Sequence, residues 1–419
     1  MPLPGSLYPA LKTKAGEVRV LTFTSLFPNA SQPLLGIFIA QRVAALARLP
    51  GIIVEVIAPV PYFPGWARWS PRRSFAVIPA KEKYGNITVH HPRYLLLPKF
   101  SMPLHGRLMF LGSLSIARRL HRSAAFDCID AHYVYPDGFA AEHLGRALGI
   151  PTIVSARGTD INLFPSFRSI RPQICETLEK AAGIIAVSAA LKKEMEDLGA
   201  PAAKIGVIAN GVDAAQFHRL DQKEARRRLG LPENEEILLS VGGLAQHKGF
   251  HLLIDALVEI APRHPYIKLY IAGEGPYRTK LESQIRAQGM QQRVFLMGSI
   301  PNEQLLYWYN AANITCLTSL REGMPNVVIE SLACGTPVVA ARTGGIPEVM
   351  RSSTMGVLVD HDPQAIARGI EQALGSQWDR EAISRETSQR TWDVVGGEVE
   401  NYLAASVSAA RLRTASTTR

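Results

Sequence analysis

Long apolar runs are missing from these 419 residues, and none approaches the roughly 20 that a membrane-spanning helix needs. Aromatic residues are sparse at 7%. Cysteine is nearly absent: Cys128, Cys175, Cys316 and Cys334 lie far apart and form no CxxC pair. That argues against a disulfide framework or a thiolate metal site and leaves buried free thiols. The N-terminal residues MPLPGSLYPALKTK lack an apolar signal core, so a disordered tail over 1–16 and a cytoplasmic protein are expected. Acidic residues are also short, 36 against 46 Lys and Arg, a net charge of +10. The shortage lies wholly in residues 1–200, which hold 23 basic and 13 acidic side chains; residues 201–419 hold 23 of each. Such one-sided basicity fits an anionic partner: nucleic acid, an anionic membrane surface, or a phosphate-bearing substrate.

What is present is a soluble composition, 47% hydrophobic and 20% charged, in a chain too long for one core. Both halves alternate apolar strand patterns with helical ones. VRVLTF from Val18 and IIVEVIA from Ile52 flank a helix over about Gly36 to Arg48. In the second half, EILLSV from Glu236, IKLYIA from Ile267 and NITCLT from Asn313 repeat the scheme. This alternation predicts two doubly wound parallel sheets, Rossmann-like, with a cleft between them. The turn NGVD at Asn210 to Asp213 marks the boundary. The expected domains are 17–209 and 210–388, then a helix over 389–410 packing back on the first domain, and a disordered tail over 411–419.

The chemistry-bearing residues cluster after strands. REGMPNVVIE, Arg321 to Glu330, sets Glu322 in a loop and Glu330 on the helix behind it. Helix-start amides at Gly323, Met324 and Asn326 suit an anion, and two carboxylates suit hydroxyl groups. Phosphate plus hydroxyls describes a sugar nucleotide. Two acids alone favour the plainer reading of a capped loop and a solvated helix residue; the surrounding segments reverse it. VGGLAQHKG, Val241 to Gly249, is a glycine-rich turn whose Lys248 can reach a diphosphate. AGEGP, MGSIPN and RTGGIPEVM follow later strands, and each alone is also readable as a simple turn. In the first half, DAHYVYPDG carries His132 and SARGTDIN carries Arg157, Asp160 and Asn162. Arg157 and Asp160 fit a structural ion pair or an acceptor site equally well.

Taken in order, these segments resemble the family-4 retaining glycosyltransferases of GT-B fold, from about residue 17 to 405, and in the first half the subgroup that builds bacterial surface polysaccharide and lipopolysaccharide. The resemblance implies a nucleoside-diphosphate-sugar donor, with uridine and guanosine both open. It implies that Glu322 holds the donor sugar, Glu330 the ribose and Lys248 the diphosphate. Gly36, Gly242, Gly243, Gly273, Ile300 and the segment Gly323, Met324, Asn326 and Val327 would complete the donor site, with His132 beside the reacting sugar. The family often carries Arg where this chain has Gly243; either Lys248 with the helix-start amides is sufficient, or Arg157 or Arg321 substitutes. Many relatives carry His where this chain has Arg157, which suits an acidic or phosphorylated acceptor or equally a subgroup feature without charge recognition.

No DxD-type motif stands where a metal would be needed, so metal-independent transfer without a cofactor is expected. YFPGWARWSPRRSF from Tyr62, and the basic cluster at Arg118, Arg119, His121 and Arg122, suggest peripheral binding to anionic lipid and a glycan or lipid-linked acceptor. A nicotinamide dehydrogenase would need GxGxxG with an acid about 20 residues on, which neither half supplies. A GT-B sugar-nucleotide epimerase conflicts with the paired acids, and no nucleic-acid module supports a non-enzymatic binder.

Overall fold

The structure is a computed structural model that describes residues 17–62, 75–96 and 102–417. The expected tail over 1–16 and most of the aromatic and basic stretch after Tyr62 lie outside these residues. The chain forms two compact units, residues 1–210 with 392–419, and residues 211–391.

The first unit contains β1 (Val18–Phe23), β2 (Ile52–Ile57), β3 (Val60–Tyr62), β4 (Lys81–Tyr84), β5 (Ile87–His90), β6 (Arg93–Leu95), β7 (Cys128–His132), β8 (Thr152–Ala156), β9 (Gly183–Ala186) and β10 (Ile205–Val207). Eight of these make one sheet in the order β10-β9-β8-β7-β1-β2-β5-β4, while β3 and β6 pair separately. Neighbours in the large sheet run parallel except β4, which is antiparallel to β5. Central strands such as CIDAH and TIVSA are buried along their whole length, as expected for strands covered on both faces.

The helix Ile37–Ala47 buries Ile39, Val43 and Leu46 against this sheet, and the final helix adds Val395, Val399, Leu403 and Val407 at fourfold spacing. Gly396 lets the two helices approach, since a Cβ there would sit 3.1 Å from the Ala45 carbonyl carbon. The final helix spans Trp392–Thr417, so the disordered tail expected over 411–419 is corrected through Thr417. Arg411 explains part of the extension, because its guanidinium donates to Asp127 Oδ1 at 3.0 Å. Residues 389–391 stay with the second unit, where Val212 bridges Thr391.

The second unit contains β11 (Glu236–Val241), β12 (Ile267–Ala272), β13 (Val294–Gly298), β14 (Ile314–Leu317), β15 (Val338–Ala341) and β16 (Gly356–Val359). They form one parallel sheet in the order β13-β12-β11-β14-β15-β16. One face packs on the helices Phe250–Ile260 and Pro363–Gly375. The other packs on Val328 and Leu332 of the helix Asn326–Ala333, with Ile383. Helices on both faces make the sheet doubly wound.

Candidate active site

In the second unit the chain winds from β11 outward through β12 and β13, then restarts beside β11 with β14. The order reverses between β11 and β14, and open sheets of this kind bind ligands outside the carboxyl ends of strands at such a reversal. The loop after β11 carries Lys248 and the loop after β14 carries Glu322. The two side chains meet there: Lys248 Nζ donates to Glu322 Oε1 at 2.7 Å, in a pair 25% and 12% exposed. Backbone contacts fix the meeting. Leu320 donates to the His247 carbonyl at 2.8 Å, and Gly249, at φ 70°, leaves no room for a Cβ against the Thr318 carbonyl.

The neighbouring loops are stitched to this pair. Gly344 lies at φ 50°, where a Cβ would sit 1.9 Å from the Glu322 carbonyl oxygen, and Thr343 Oγ1 donates to the Ser319 carbonyl at 2.9 Å. On the other side, Gly273 packs on the Gly242 carbonyl, and Leu244 donates to the Glu274 carbonyl at 2.9 Å. Gly273 also donates to the Gly298 carbonyl at 2.7 Å, which brings in the loop after β13 that carries Ile300. Five successive strand ends thus form one continuous rim.

Two cations stand near His247 on this rim. Burial lowers the His247 imidazole pKa, and Lys248 and Arg321 lower it further, so Arg321 lies within electrostatic reach of the Lys248 loop. Arg157 belongs to the first unit. Gly243 is not dictated by sterics, since a Cβ there meets nothing closer than the Glu274 carbonyl oxygen at 3.8 Å. Glu330 is half-buried on the helix Asn326–Ala333. Burial pushes its pKa up to about 7, while a hydrogen bond of 2.8 Å from Tyr309 Oη to Oε2 opposes that rise.

The first unit repeats the reversal between β1 and β7. His132 closes β7 and is fully buried. A guanidinium only donates, so the contact from Arg157 Nη2 makes His132 Nδ1 the acceptor and leaves the proton on Nε2, 3.3 Å from Asp130 Oδ2. Burial and the nearby Arg42 and Arg157 pull this imidazole down to about 3, against the pull of Asp130. Asp130 is held at about 2: burial alone would raise it, but Arg42, bonded at 3.1 and 3.3 Å, outweighs that with His132. Asp137 joins the loops after β1 and β7 by accepting from the Ser25 amide and hydroxyl, and burial raises it to about 7.

Two family models cover the chain: "Glycosyltransferase Family 4" matches residues 10–216 and "Glycosyl transferases group 1" matches residues 221–390. The chain belongs to the family-4 glycosyltransferases. It is 28% identical over 385 residues to a Bacillus subtilis protein assigned as the teichuronic acid biosynthesis glycosyltransferase TuaC, covering 90% of this chain and 95% of that one. It is 29% identical over 347 residues to the D-inositol 3-phosphate glycosyltransferase of Acidothermus cellulolyticus, covering 77% and 76%. Its fold is similar to sucrose-phosphate synthase from Thermosynechococcus elongatus, with a TM-score of 0.75 at 20% identity over 91% and 97% of the chains. It is also similar to Anabaena HepE in complex with UDP and glucose, with a TM-score of 0.69 at 20% identity over 93% and 100%. The GT-B class expected from the sequence is therefore shown, and the enzyme is a hexosyltransferase.

Within this glycosyltransferase the other expected site residues take the following places. His132 is fully buried, with Nδ1 against Arg157 and Nε2 3.3 Å from Asp130 but without a hydrogen-bond partner. Asp160 makes no side-chain pair with Arg157. Its carboxylate accepts the amides of Val134 and Gly158 at 2.8 Å and of Arg157 at 3.1 Å, which shapes the loop. Arg157 instead reaches His132 and Asn210, while Asn162 ends a four-residue helix, Thr159–Asn162, half-buried. Gly36 answers its own chain, because a Cβ there would strike the Leu26 carbonyl at 2.2 Å. Gly323 and Met324 are buried, whereas Asn326 and Val327 are half-buried at the helix start. Sequence reasoning missed Arg42, Asp137 and Tyr309. Arg42 and Tyr309 sit in amphipathic helix patterns that read as packing, and the only signal for Asp137 was its place in an Asp-Gly turn before a helix.

The buried Arg42–Asp130 pair makes a sharp stability prediction. Asp130→Asn strands a fully buried guanidinium and is expected to cost about 3–5 kcal/mol in denaturant unfolding at pH 7. The folded carboxyl lies below its ordinary 3.8, so this contribution is complete above that value and is lost as pH falls through about 2. The gap between wild type and variant should therefore shrink in acid.

Proposed function

We propose that this glycosyltransferase moves a sugar, with retention, from a UDP- or GDP-sugar to a glycan or lipid-linked acceptor in bacterial surface-polysaccharide synthesis. The single observation that carries the donor half is the meeting of Lys248 with Glu322 at the strand-order reversal of the second unit. As the glycosidic bond breaks, the diphosphate gathers negative charge. On this reading Lys248, Arg321 and the start of the helix Asn326–Ala333 meet it, an electrostatic effect aimed at the transition state. Glu322 then accepts from sugar hydroxyls and Glu330 from the ribose. The chemistry needs no divalent metal on this reading. UDP in HepE and the teichuronic acid assignment of TuaC agree with the donor and acceptor classes. The test is a thermal-shift screen of UDP- and GDP-sugars in EDTA. At least one is expected to raise Tm by several degrees, and a flat response to all of them, reversed by Mg²⁺, would contradict metal-independent binding.

The acceptor reading includes the membrane. Among the described residues no helix is long and apolar enough to cross one. The helix His105–Ser123 nevertheless contains no acidic residue, and it exposes Arg107, Leu111, Arg118, Arg119 and Arg122. Exposed leucine among arginines suits the headgroup region on the cytoplasmic side, each cation contributing about 1 kcal/mol near an anionic surface. Flotation with phosphatidylglycerol vesicles should recover the protein, and Arg118→Glu with Arg122→Glu should abolish recovery. Equal recovery with neutral vesicles would overturn this surface assignment.

A further inference from the structure

Tyr309 lies on the helix Asn302–Ala311 and is fully buried. Its ring packs edge-on against Phe217 at 5.9 Å, a contact that phenylalanine would make equally well. Only the hydroxyl distinguishes it, and a buried hydroxyl without a partner is costly. Its partner is Glu330, 21 residues away on the next helix, at 2.8 Å to Oε2. Among the described residues, Oε1 of Glu330 has no protein partner.

We propose that Tyr309 is a positioning residue for donor binding: its hydroxyl pins one oxygen of Glu330 so that the other faces the ribose diol. This rests on the reading of Glu330 as the ribose ligand. The geometry gives Tyr309 two effects. The bond removes rotation about the terminal carboxylate torsion, which is otherwise broad. It also favours the ionised carboxylate, the form that only accepts and can therefore take two hydroxyls. Burial works in the opposite direction on Glu330, so the tyrosine hydroxyl counters the environment it sits in. Thr336 Oγ1 donates to the Tyr309 carbonyl at 2.6 Å and Phe217 holds the ring, so the hydroxyl is itself fixed.

Calorimetric titration of the full chain with UDP, GDP and their 2′,3′-dideoxy forms tests this. Wild type should bind the better of the two nucleotides about 10-fold more tightly than its dideoxy form. Tyr309→Phe should weaken the natural nucleotide about 10-fold and leave the dideoxy form unchanged, with Tm near wild type. Equal weakening of both forms, or no weakening while Glu330→Gln still binds poorly, overturns the positioning role and spares the ribose reading. If wild type does not distinguish the two forms and Glu330→Gln binds normally, the ribose reading fails and the inference fails with it.

Discussion

Lys248→Ala is expected to lower sugar transfer about 10²–10³-fold while moving Tm little. The ammonium is a quarter exposed, and its pair with Glu322 is screened enough that its loss costs little fold stability. On the proposed reading its value lies in the reaction. A cation held in place by the loops after β11 and β14 needs no reorganisation when charge reaches the departing diphosphate. In the ligand-free chain that cation is neutralised by Glu322; on the proposed donor reading a bound diphosphate takes over the lysine and frees the carboxylate for hydroxyl groups. Turnover of a nucleotide sugar with acceptor, or its slow hydrolysis by water, measures the effect. Wild-type turnover in the variant would remove Lys248 from the chemistry.

Gly344→Ala is expected to disable the same site through the backbone. Its φ of 50° lies in the left-handed region, and the added Cβ would fall 1.9 Å from the Glu322 carbonyl oxygen. Real Cβ contacts do not approach that closely, so the loop after β15 must retreat from the loop that carries Glu322. The left-handed conformation alone costs about 1–2 kcal/mol, and the displacement adds to it. A drop in Tm of roughly 2–8 °C or more follows for a unit of this size, together with loss of donor binding. Gly375→Ala is the control, because no atom lies within 4 Å of its added Cβ. Unchanged nucleotide affinity in Gly344→Ala would mean that the rim does not shape the site.

The second-unit site was legible because its parts are local. Glu322 and Glu330 stand eight apart across a loop-to-helix boundary, and Lys248 follows an apolar strand with a glycine turn. Strand–helix alternation then places both loops at strand carboxyl ends, so their meeting needs only the sheet order. The first unit was less legible because its partners are remote. Arg42 bonds Asp130, 88 residues on, and Ser155, 113 residues on, and neither link leaves a local pattern. His132 was legible by its position at a strand end, but its enclosure by those same charges was not. The strand Lys81–Tyr84, KEKY, escaped notice because an edge strand with exposed lysines lacks apolar alternation. The final helix outran its expected end because polar residues after Ala410 gave no periodic signal, although Arg411 reaches Asp127, 284 positions away.

A crystal structure of the chain with UDP or GDP bound tests the donor grip most directly. The ribose hydroxyls should lie on Glu330, and Lys248 Nζ should have left Glu322 for a phosphate oxygen. A nucleotide bound elsewhere, with the Lys248–Glu322 pair still closed at about 2.7 Å, would contradict it.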